Sequence, residues 1–557
     1  MKLLELLNCN RRKFIYVTLF SFILLFSLIS GFILESNSYI SFTFLILIIY
    51  LILVFLISIC FAMLSLFILR YTKKYSITFK KTWFIQKFKY NKLTPLYIFF
   101  IIFITWIPIL LAYYPGVWSY DVGTQLFQLE NNVITKYQPI LHTLLIGGFT
   151  EIGKSLFDSY SFGVLLYSLF QMLLLCSSFT YLDMYILRDK KINIFIFILI
   201  LIFQCLFPAN PIMGISSTKD TIFSALTIYL VVYLLKILEN KSGIDKKEII
   251  IFSLITALWV SFRNNALIAY IPFSIILISI MFKHTKKILL LVISSLITCF
   301  LMNYSIDFFI KPGTYSSIEV LSVPINQISY SMIVDFNDLE DELNPMFIKI
   351  FGDSYLKYNP YLSDPVKSNM NFSIGDMGNF IRIWIDLLPK AFDNYVIAFA
   401  KLNIGSWYIF DDSYANIYQD KYYNGKLLEN SHKVHQKGYL QTELDSTLGF
   451  SYQTKIKPLF NCYEEIISNN IYTKSLIGRI LFSPAMYLMI TFASLLFNLY
   501  RKRYIESSIL SLLIFYWLTL LLGPCALVRY MYPIISLAPL SLSLIISGSP
   551  NYFEVNK

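Results

Sequence analysis

The sequence predicts an all-α polytopic membrane protein with about twelve transmembrane helices. Of its 557 residues, 57% are hydrophobic and only 14% are charged, whereas soluble domains carry about 25% charged residues. Apolar runs of about 18 or more residues, each long enough to cross a bilayer, recur along the chain. The formal net charge of +12 comes mostly from basic residues in short loops between these runs. That distribution indicates a membrane protein and argues against a nucleic-acid partner.

The apolar runs divide the chain into three parts. We expect an N-terminal transmembrane region with nine helices (1–310), an extracytoplasmic domain of mixed secondary structure (311–475) and a C-terminal transmembrane region with three helices (476–557). The first run lacks a small-residue cleavage site and is followed by a second run, so we expect it to be retained as a helix. The expected transmembrane helices are residues 14–34, 39–69, 95–113, 159–187, 192–208, 221–238, 248–262, 266–282, 288–308, 477–499, 507–523 and 530–547.

Basic loop residues set the expected orientation of these helices. The segment from Arg70 to Lys92 contains eight basic residues and no acid, and the positive-inside rule assigns such a loop to the cytoplasm. The loops then alternate, so that both termini are cytoplasmic. The polar loop 113–158, which includes an interfacial or re-entrant helix at about 141–156, and the 311–475 domain are expected on the extracytoplasmic face.

Unusual polar residues gather on that extracytoplasmic face. Ionisable groups at membrane depth are costly and are usually functional or paired, and we expect these to converge on one site. The residues are Trp118, Tyr120 and Asp121 in WSYDVGTQ, His142 in YQPILHT, Lys219 and Asp220 in SSTKD, Arg263 and Asn264 in RNN, and Arg529 and Tyr530 in VRYMYP.

Each of these residues also has a purely structural interpretation. In that interpretation Asp121 caps the start of a helix and has no further role, and His142 is a buried histidine with satisfied hydrogen bonds. Aromatic residues are common at the membrane interface, which would account for Trp118 and Tyr120. The cations can pair with a neighbouring acid or extend to lipid headgroups; they are Lys219, Arg263 and Arg529.

One short pattern matches a phosphate-binding loop. Residues 148–155 read GFTEIGKS and fit GxxxxGK[ST]. A true phosphate loop follows a buried strand in an α/β domain, whereas this segment continues an apolar, helix-like run at the outer membrane face. We therefore expect no nucleotide role, and we interpret Lys154 as an interfacial anchor.

Several motifs together resemble a known group of proteins. PGVWSYDVGTQ, QPILHTLL, TKD, RNN and RYMYP resemble a group of bacterial membrane proteins of unassigned function that are similar to GT-C glycosyltransferases. The resemblance covers most of expected helices three to eight and helix twelve. It implies a GT-C-like helical core, a polyprenyl-phosphate sugar donor and a catalytic acid in the first large outer loop, matched here by Asp121. Many members carry two acids in that loop, whereas here Glu130 lies farther along, so a divalent cation remains possible.

The chemistry implied by this resemblance fits the residue types. Transfer from polyprenyl phosphate needs a base for the acceptor hydroxyl, for which Asp121 is the candidate. His142 would orient Asp121 or hydrogen-bond the phosphate, and forked arginine donors suit a departing phosphate. The expected substrate-binding residues are Lys219, Asp220, Arg263, Asn264, Arg529, Tyr530, Trp118 and Tyr120. The expected partners are the lipid-linked donor, a cell-envelope glycan or lipid acceptor, and membrane lipids.

Two other classes of protein remain open. A lipid-linked polysaccharide ligase or polymerase is also many-helical with a large outer domain, and it would rely on outer arginine and histidine residues instead of an acid in the first loop. A transporter or flippase often has internal repeats and helices broken by glycine or proline near the midplane. The chain shows no clear repeat, and its polar groups are expected at one face.

The orientation can be tested by labelling single cysteines. A cysteine introduced between Arg70 and Lys92 should resist an impermeant thiol reagent in intact cells, because that loop is expected in the cytoplasm. A cysteine introduced at Asn131 should react, since the polar loop is expected outside. Labelling in the opposite sense would reverse the orientation and move every candidate site residue to the other face.

Overall fold

The computed structural model describes residues 11–36, 44–72, 89–240, 244–281, 285–313, 317–335, 339, 345–411, 422–423, 426–427, 452–468 and 475–547. These residues are α-helical apart from loops, short turns of other helix types and one antiparallel pair of two-residue strands, β1 (Tyr422–Tyr423) and β2 (Lys426–Leu427).

The helices before residue 311 are α1 (Arg11–Ser36), α2 (Phe44–Thr72), α3 (Thr94–Ala112), α4 (Tyr120–Glu130), α5 (Ile140–Phe157), α6 (Tyr160–Met184, continued by a π-helical turn Tyr185–Asp189), α7 (Ile194–Leu206), α8 (Ala209–Ile215), α9 (Lys219–Glu239), α10 (Lys246–Ser261), α11 (Ala266–Ile280) and α12 (Thr285–Ile310). The later helices are α13 (Ser322–Val334), α14 (Pro345–Ile350), α15 (Asp364–Lys367), α16 (Met377–Leu387), α17 (Phe392–Trp407), α18 (Lys457–Ser468), α19 (Leu476–Phe482), α20 (Pro484–Tyr500), α21 (Tyr504–Leu520), α22 (Val528–Ser536) and α23 (Ala538–Ile546). Short 3₁₀ turns occur at Ser317–Leu321, Ser354–Lys357 and Ile374–Asp376.

The expectation of an all-α protein with many membrane spans is confirmed. Within the described residues, seven apolar segments are long enough to cross a membrane: α1, α2, α3, α6, α9, α12 and the α22–α23 pair. Two bent pairs, α7–α8 and α19–α20, bring the number to nine if each is one span. The other three expected spans correspond to shorter helices, since α10, α11 and α21 contain 16, 15 and 17 residues.

Proline accounts for both bent pairs. The axes of α7 and α8 differ by 46° and those of α19 and α20 by 68°. Pro208 lies at the first break, and Pro484 is the first residue of α20 at the second. Proline has no backbone N–H and its ring clashes with the preceding turn, so it favours a break in a helix. Other helices of this protein continue through an internal proline, at Pro108, Pro272 and Pro533. The sequence analysis treated residues 477–499 as one span, but it ended the earlier span at residue 208 and expected the residues of α8 in an outer loop.

Helix α9 is the centre of the membrane region. It is buried over most of its length, whereas α1, α2 and α12 leave most of their surface outside the protein core. Helices α6, α10, α21 and α22 pack around α9 and bury its apolar side chains. Its first residue, Lys219, and its last residue, Glu239, are about 30 Å apart at 1.5 Å per residue. Polar groups at either end of α9 therefore lie at opposite ends of the bundle.

A buried charge cluster fixes the Glu239 end. The Lys190 Nζ donates to Glu239 Oε1 at 2.6 Å and to Glu506 Oε1 at 3.2 Å, and the Tyr185 hydroxyl donates to Glu239 at 2.7 Å. The Lys190 and Glu506 side chains are each only 2% exposed. Removing one partner of such a cluster leaves a buried charge uncompensated, which costs about 3–5 kcal/mol. The cluster therefore locks the ends of α6, α9 and α21 together.

The residues after α12 form a second hydrophobic core beside the bundle. We call residues 317–335 and 345–411 the inserted segment; α13 lies at its centre and α14 to α17 pack around it. Backbone hydrogen bonds join this part of the chain to the bundle at Gly313, just before the segment, and at Ser363, within it. Gly313 N–H donates to the Ile134 carbonyl at 2.8 Å, and Ser363 N–H donates to the Pro524 carbonyl at 3.0 Å. In the described part, the inserted segment is helical with short 3₁₀ turns.

The residues of the phosphate-loop pattern lie in a helix. Gly148, Gly153 and Lys154 all belong to α5, which packs tightly on α6. A Cβ placed on Gly153 would lie 2.6 Å from the Gly163 Cα, and one on Gly163 would lie 2.6 Å from the Thr150 Cα. The absence of side chains at these two glycines allows the two backbones to approach closely. Close helix packing thus accounts for the glycine at position 153 of this pattern.

Alanine at the packing glycine should destabilise the protein. Gly153→Ala forces the two helix backbones apart and should lower the free energy of unfolding by about 1–3 kcal/mol, as overpacked sites do. Gly148→Ala is the matched control in the same helix, because nothing lies within 4 Å of its added Cβ and alanine favours helix by about 0.5–1 kcal/mol. Thermal unfolding in detergent would measure both variants. Equal melting temperatures for Gly153→Ala and wild type would contradict the close-packing account.

Candidate functional site

Two chain segments pair side by side before the helices that carry the candidate acid and lysine. Val117 N–H donates to the Ile215 carbonyl at 3.0 Å, and Ser217 N–H donates to the Val117 carbonyl at 2.9 Å. The Ser119 hydroxyl then donates to the Ser217 carbonyl at 2.8 Å, and Ser119 N–H donates to the Ser217 hydroxyl at 3.1 Å. This short parallel ladder continues into the starts of α4 and α9, so it sets Asp121 opposite Lys219.

Asp121 and Lys219 form an ion pair at the end of that ladder. The Lys219 Nζ lies 2.9 Å from Asp121 Oδ2 and also donates to the Gln138 side-chain oxygen. The Asp121 side chain is 19% exposed and the Lys219 side chain 15%, so both remain open to a small ligand. Burial raises the pKa of Asp121, but the positive charges of Lys219 and Arg529 outweigh it and hold that pKa well below its usual range. Asp121 is therefore ionised at neutral pH.

The neighbouring carboxylate, Asp220, is fully buried between two arginines. Its Oδ1 pairs with Arg263, and its Oδ2 lies 3.7 Å from Arg529 Nε. The Thr218 hydroxyl lies 3.1 Å from Oδ2 and accepts from the Asp220 backbone N–H at 3.3 Å, which caps α9. These contacts bring the start of α9, the turn after α10 and the start of α22 to one point.

Aromatic rings surround the Arg263 guanidinium, which is held within the protein instead of extending to lipid. Its centre lies 4.6 Å from the Tyr530 ring centroid and 5.6 Å from that of Tyr516, positions that favour cation–π attraction. Arg263 Nε donates to the Asn265 oxygen at 3.1 Å, and the Asn265 amide donates to Thr519 at 2.7 Å. The structure thus sets Asn265 against Arg263, while the predicted Asn264 is exposed.

His142 is fully buried with both ring nitrogens occupied by protein groups. Its Nδ1 lies 3.0 Å from the Gln125 oxygen and its Nε2 lies 2.8 Å from the Tyr167 hydroxyl. Because the Gln125 oxygen can only accept, Nδ1 carries the proton and Nε2 accepts from Tyr167. Burial, with a smaller effect of Lys219, lowers the pKa of His142 to about 3. In this structure the ring is neutral, and its two hydrogen bonds connect α5 to α4 and α6.

The remaining candidate residues are aromatic. Trp118 is half-buried and packs against the main hydrophobic core, while the side chain of Tyr120 lies outside the described residues. Sequence analysis missed the amides Gln125 and Gln138, which hold His142 and Lys219. The sequence contains only a weak signal for these two amides. An uncharged amide is uncommon beside an apolar helix, and Gln138 lies four residues before His142.

The cluster as a whole carries a net positive charge. The cations Lys219, Arg263 and Arg529 outnumber the carboxylates Asp121 and Asp220 by one. Such a surplus at the rim of an apolar bundle favours an anionic ligand. In the part of the chain that the structure describes, no group of three or more His, Cys, Asp or Glu residues is placed to hold a metal ion. The two carboxylates of the cluster are each already paired with cations.

Fold and site define a multi-pass helical membrane protein with a charged, partly open cluster at one end of the bundle. The chain belongs to the family of unknown function DUF6020, whose model matches residues 130–547. That match includes His142, Lys219, Asp220, Arg263 and Arg529 and begins after Asp121. No curated protein matches the chain, and no solved structure matches it.

The state of His142 predicts a specific acid response. In the folded protein His142 has a pKa of about 3 and stays neutral above that pH, whereas in the unfolded chain the same side chain binds a proton below about pH 6.5. The stability contributed by neutral His142 is therefore present above pH 6.5 and is lost as the pH falls towards 3, by about 2 kcal/mol at pH 5. The stability difference between wild type and His142→Gln should narrow by that amount between pH 7 and pH 5 in detergent. Parallel stability curves would contradict the assignment of a buried neutral ring.

Proposed function

We propose that the protein is a membrane glycosyltransferase of GT-C type. It moves a sugar from a polyprenyl-phosphate carrier to a cell-envelope glycan or lipid on the extracytoplasmic face, with Asp121 as the general base. The observation that carries the proposal is the Asp121–Lys219 pair. It joins a partly exposed carboxylate to a cation, beside a second cation, Arg529, at one end of an apolar bundle. A base and a phosphate-binding group are the two functions that this reaction requires.

The reaction uses these residues in a single displacement. The acceptor oxygen forms a bond to the anomeric carbon while its proton passes to an Asp121 oxygen. The bond between the anomeric carbon and the phosphate oxygen breaks, and its electron pair leaves with the polyprenyl phosphate. Lys219 and Arg529 stabilise the negative charge that develops on that oxygen. Arg263 acts indirectly, because its ion pair with Asp220 holds the start of α9 in position.

The proposed topology has twelve spans with both termini in the cytoplasm. Nine spans are α1, α2, α3, α6, the α7–α8 pair, α9, α12, the α19–α20 pair and the α22–α23 pair; α10, α11 and α21 supply the other three. At 1.5 Å per residue, helices of 15 to 17 residues are about 23–26 Å long. A bilayer accommodates such short spans by local thinning.

A ligase or polymerase of lipid-linked polysaccharide is the second candidate. The family match includes both arginines of the cluster and begins at Glu130, so it does not include Asp121. A ligase that binds its lipid-linked substrate through Arg263 and Arg529 would not need Asp121 as a base. The two candidates therefore differ in how strongly the reaction depends on this one carboxylate.

Replacement of Asp121 by asparagine separates catalysis from structure. The expected capping role of Asp121 is wrong, because Ser119 is the N-cap of α4 and Asp121 lies in its first turn. Asparagine keeps the side-chain shape, but an amide cannot take up the acceptor proton. Asp121→Asn should reduce sugar transfer from a polyprenyl-phosphate donor by about 10²–10⁴-fold, measured in membranes at matched protein levels.

Glu130→Gln is the matched control for this experiment. It removes an exposed carboxylate at the other end of the same helix, α4, and should leave the rate at the wild-type value. A wild-type rate for Asp121→Asn would contradict the base assignment. If Arg529→Gln lost activity while Asp121→Asn kept it, the ligase or polymerase hypothesis would be favoured instead.

A further inference from the structure

The ammonium of Lys219 has a neutral partner as well as an acidic one. Its Nζ donates to Asp121 Oδ2 at 2.9 Å and to the side-chain oxygen of Gln138. A lysine ammonium carries three N–H donors and no acceptor, and in the part of the chain that the structure describes these two oxygens are its protein acceptors. One N–H therefore remains for a ligand, and the 15% exposed side chain is open to one.

Gln138 reaches that ammonium from a loop whose position is fixed by other contacts. The loop comprises residues 131–139, between α4 and α5. The Gln128 side chain donates to the Thr135 hydroxyl at 3.1 Å and accepts from the Thr135 N–H at 3.2 Å, which holds the middle of the loop against the end of α4. Pro139 restricts the preceding residue to extended conformations. Gln138 is also only 5% exposed, so its side-chain oxygen is held in one place.

The neutrality of Gln138 determines how much charge the site offers to a ligand. The three cations of the cluster exceed its two carboxylates by one. A carboxylate at position 138 would hold the Lys219 ammonium at least as firmly, because a hydrogen bond between two ionised groups is stronger, but it would cancel that surplus. An amide oxygen holds the ammonium and leaves its positive charge available to an anion.

We propose that Gln138 is a positioning residue that holds Lys219 for the phosphate of the lipid-linked donor and keeps the positive charge of the lysine available to it. The inference rests on the proposed function, in which Lys219 stabilises the phosphate that leaves with the carrier. A residue that only tied the loop to α9 would need the contact with Lys219 but not the neutrality of the amide. This difference makes the two roles separable.

Two substitutions at Gln138 separate positioning from tethering. Gln138→Glu keeps the shape and the acceptor and adds a negative charge, whereas Gln138→Met keeps the approximate length and loses the acceptor. Tethering alone predicts that Gln138→Glu resembles wild type and that Gln138→Met is the impaired variant. Positioning predicts the reverse order for phosphate binding, with Gln138→Glu the weaker binder although its melting temperature stays at the wild-type value.

The measurement uses full-length protein in detergent and three probes, farnesyl phosphate, farnesol and inorganic phosphate. Wild type should bind farnesyl phosphate more tightly than farnesol. Gln138→Glu should weaken farnesyl phosphate binding by about tenfold or more, because it places a like charge beside the phosphate. Gln138→Met should weaken it by about three- to tenfold, the loss of one hydrogen bond, and farnesol binding should not change. Gln138→Glu decides the test if Gln138→Met does not fold.

Inorganic phosphate distinguishes a lipid-linked phosphate from a free anion. It should show the same order of variants as farnesyl phosphate but a lower affinity, because it has the charge without the lipid. An affinity equal to that of farnesyl phosphate would overturn the assignment to a lipid-linked donor.

Asn132→Asp is the matched control. It adds the same charge at an exposed position of the same loop, where the backbone φ of 55° suits both asparagine and aspartate, and it should bind farnesyl phosphate as wild type does. Equal weakening in this control, or wild-type binding by Gln138→Glu, would overturn the inference and leave the proposed transfer intact. A wild type that binds farnesol as tightly as farnesyl phosphate would overturn both. The expected order of variants in a protein that transfers no sugar would remove the proposed function and keep the phosphate site.

Discussion

The buried carboxylate of Asp220 lies between Arg263 and Arg529, and these three residues come from the start of α9, the turn after α10 and the start of α22. A carboxylate with no exposed surface cannot remain ionised without compensating cations. The three chain segments must therefore meet at this point for the fold to be stable. Since α9 is also the most buried of the seven candidate spans in the described residues, the Asp220 cluster connects the packing of the membrane region to the geometry of the site.

Adjacent residues of α9 then take different roles. Successive side chains on a helix point about 100° apart, so Lys219 reaches Asp121 and Gln138 while Asp220 reaches the two arginines. The ladder between 117–119 and 215–217 fixes the first pair, and the ion pairs of Asp220 fix the second. A partly exposed ion pair is thereby supported by a buried one, an arrangement that keeps the accessible groups in place without a ligand.

The general fold and the convergence of the charged residues were predictable, because long apolar runs and rare charges beside them can be recognised in the sequence. Asp121, Lys219, Asp220, Arg263 and Arg529 come together as the motifs indicated. The partners that decide each residue's role were not predictable. His142 is satisfied by Gln125 and Tyr167, which lie 17 and 25 residues away, and no periodicity relates them. Proline breaks and close glycine contacts likewise depend on the neighbouring helix that each segment meets.

The Asp121–Lys219 pair imposes a constraint on any mechanism at this site. A carboxylate whose pKa is held low by a lysine is a weak base, since proton transfer is most efficient when the pKa of the base is near the working pH. In the proposed reaction, an entering phosphate would draw Lys219 towards itself, and Asp121 would lose part of that stabilisation. Gln138, whose side-chain oxygen accepts from the same Nζ, would then be the protein group that holds the lysine in its new position. The donor would then strengthen the base that activates the acceptor, so donor binding would precede acceptor deprotonation.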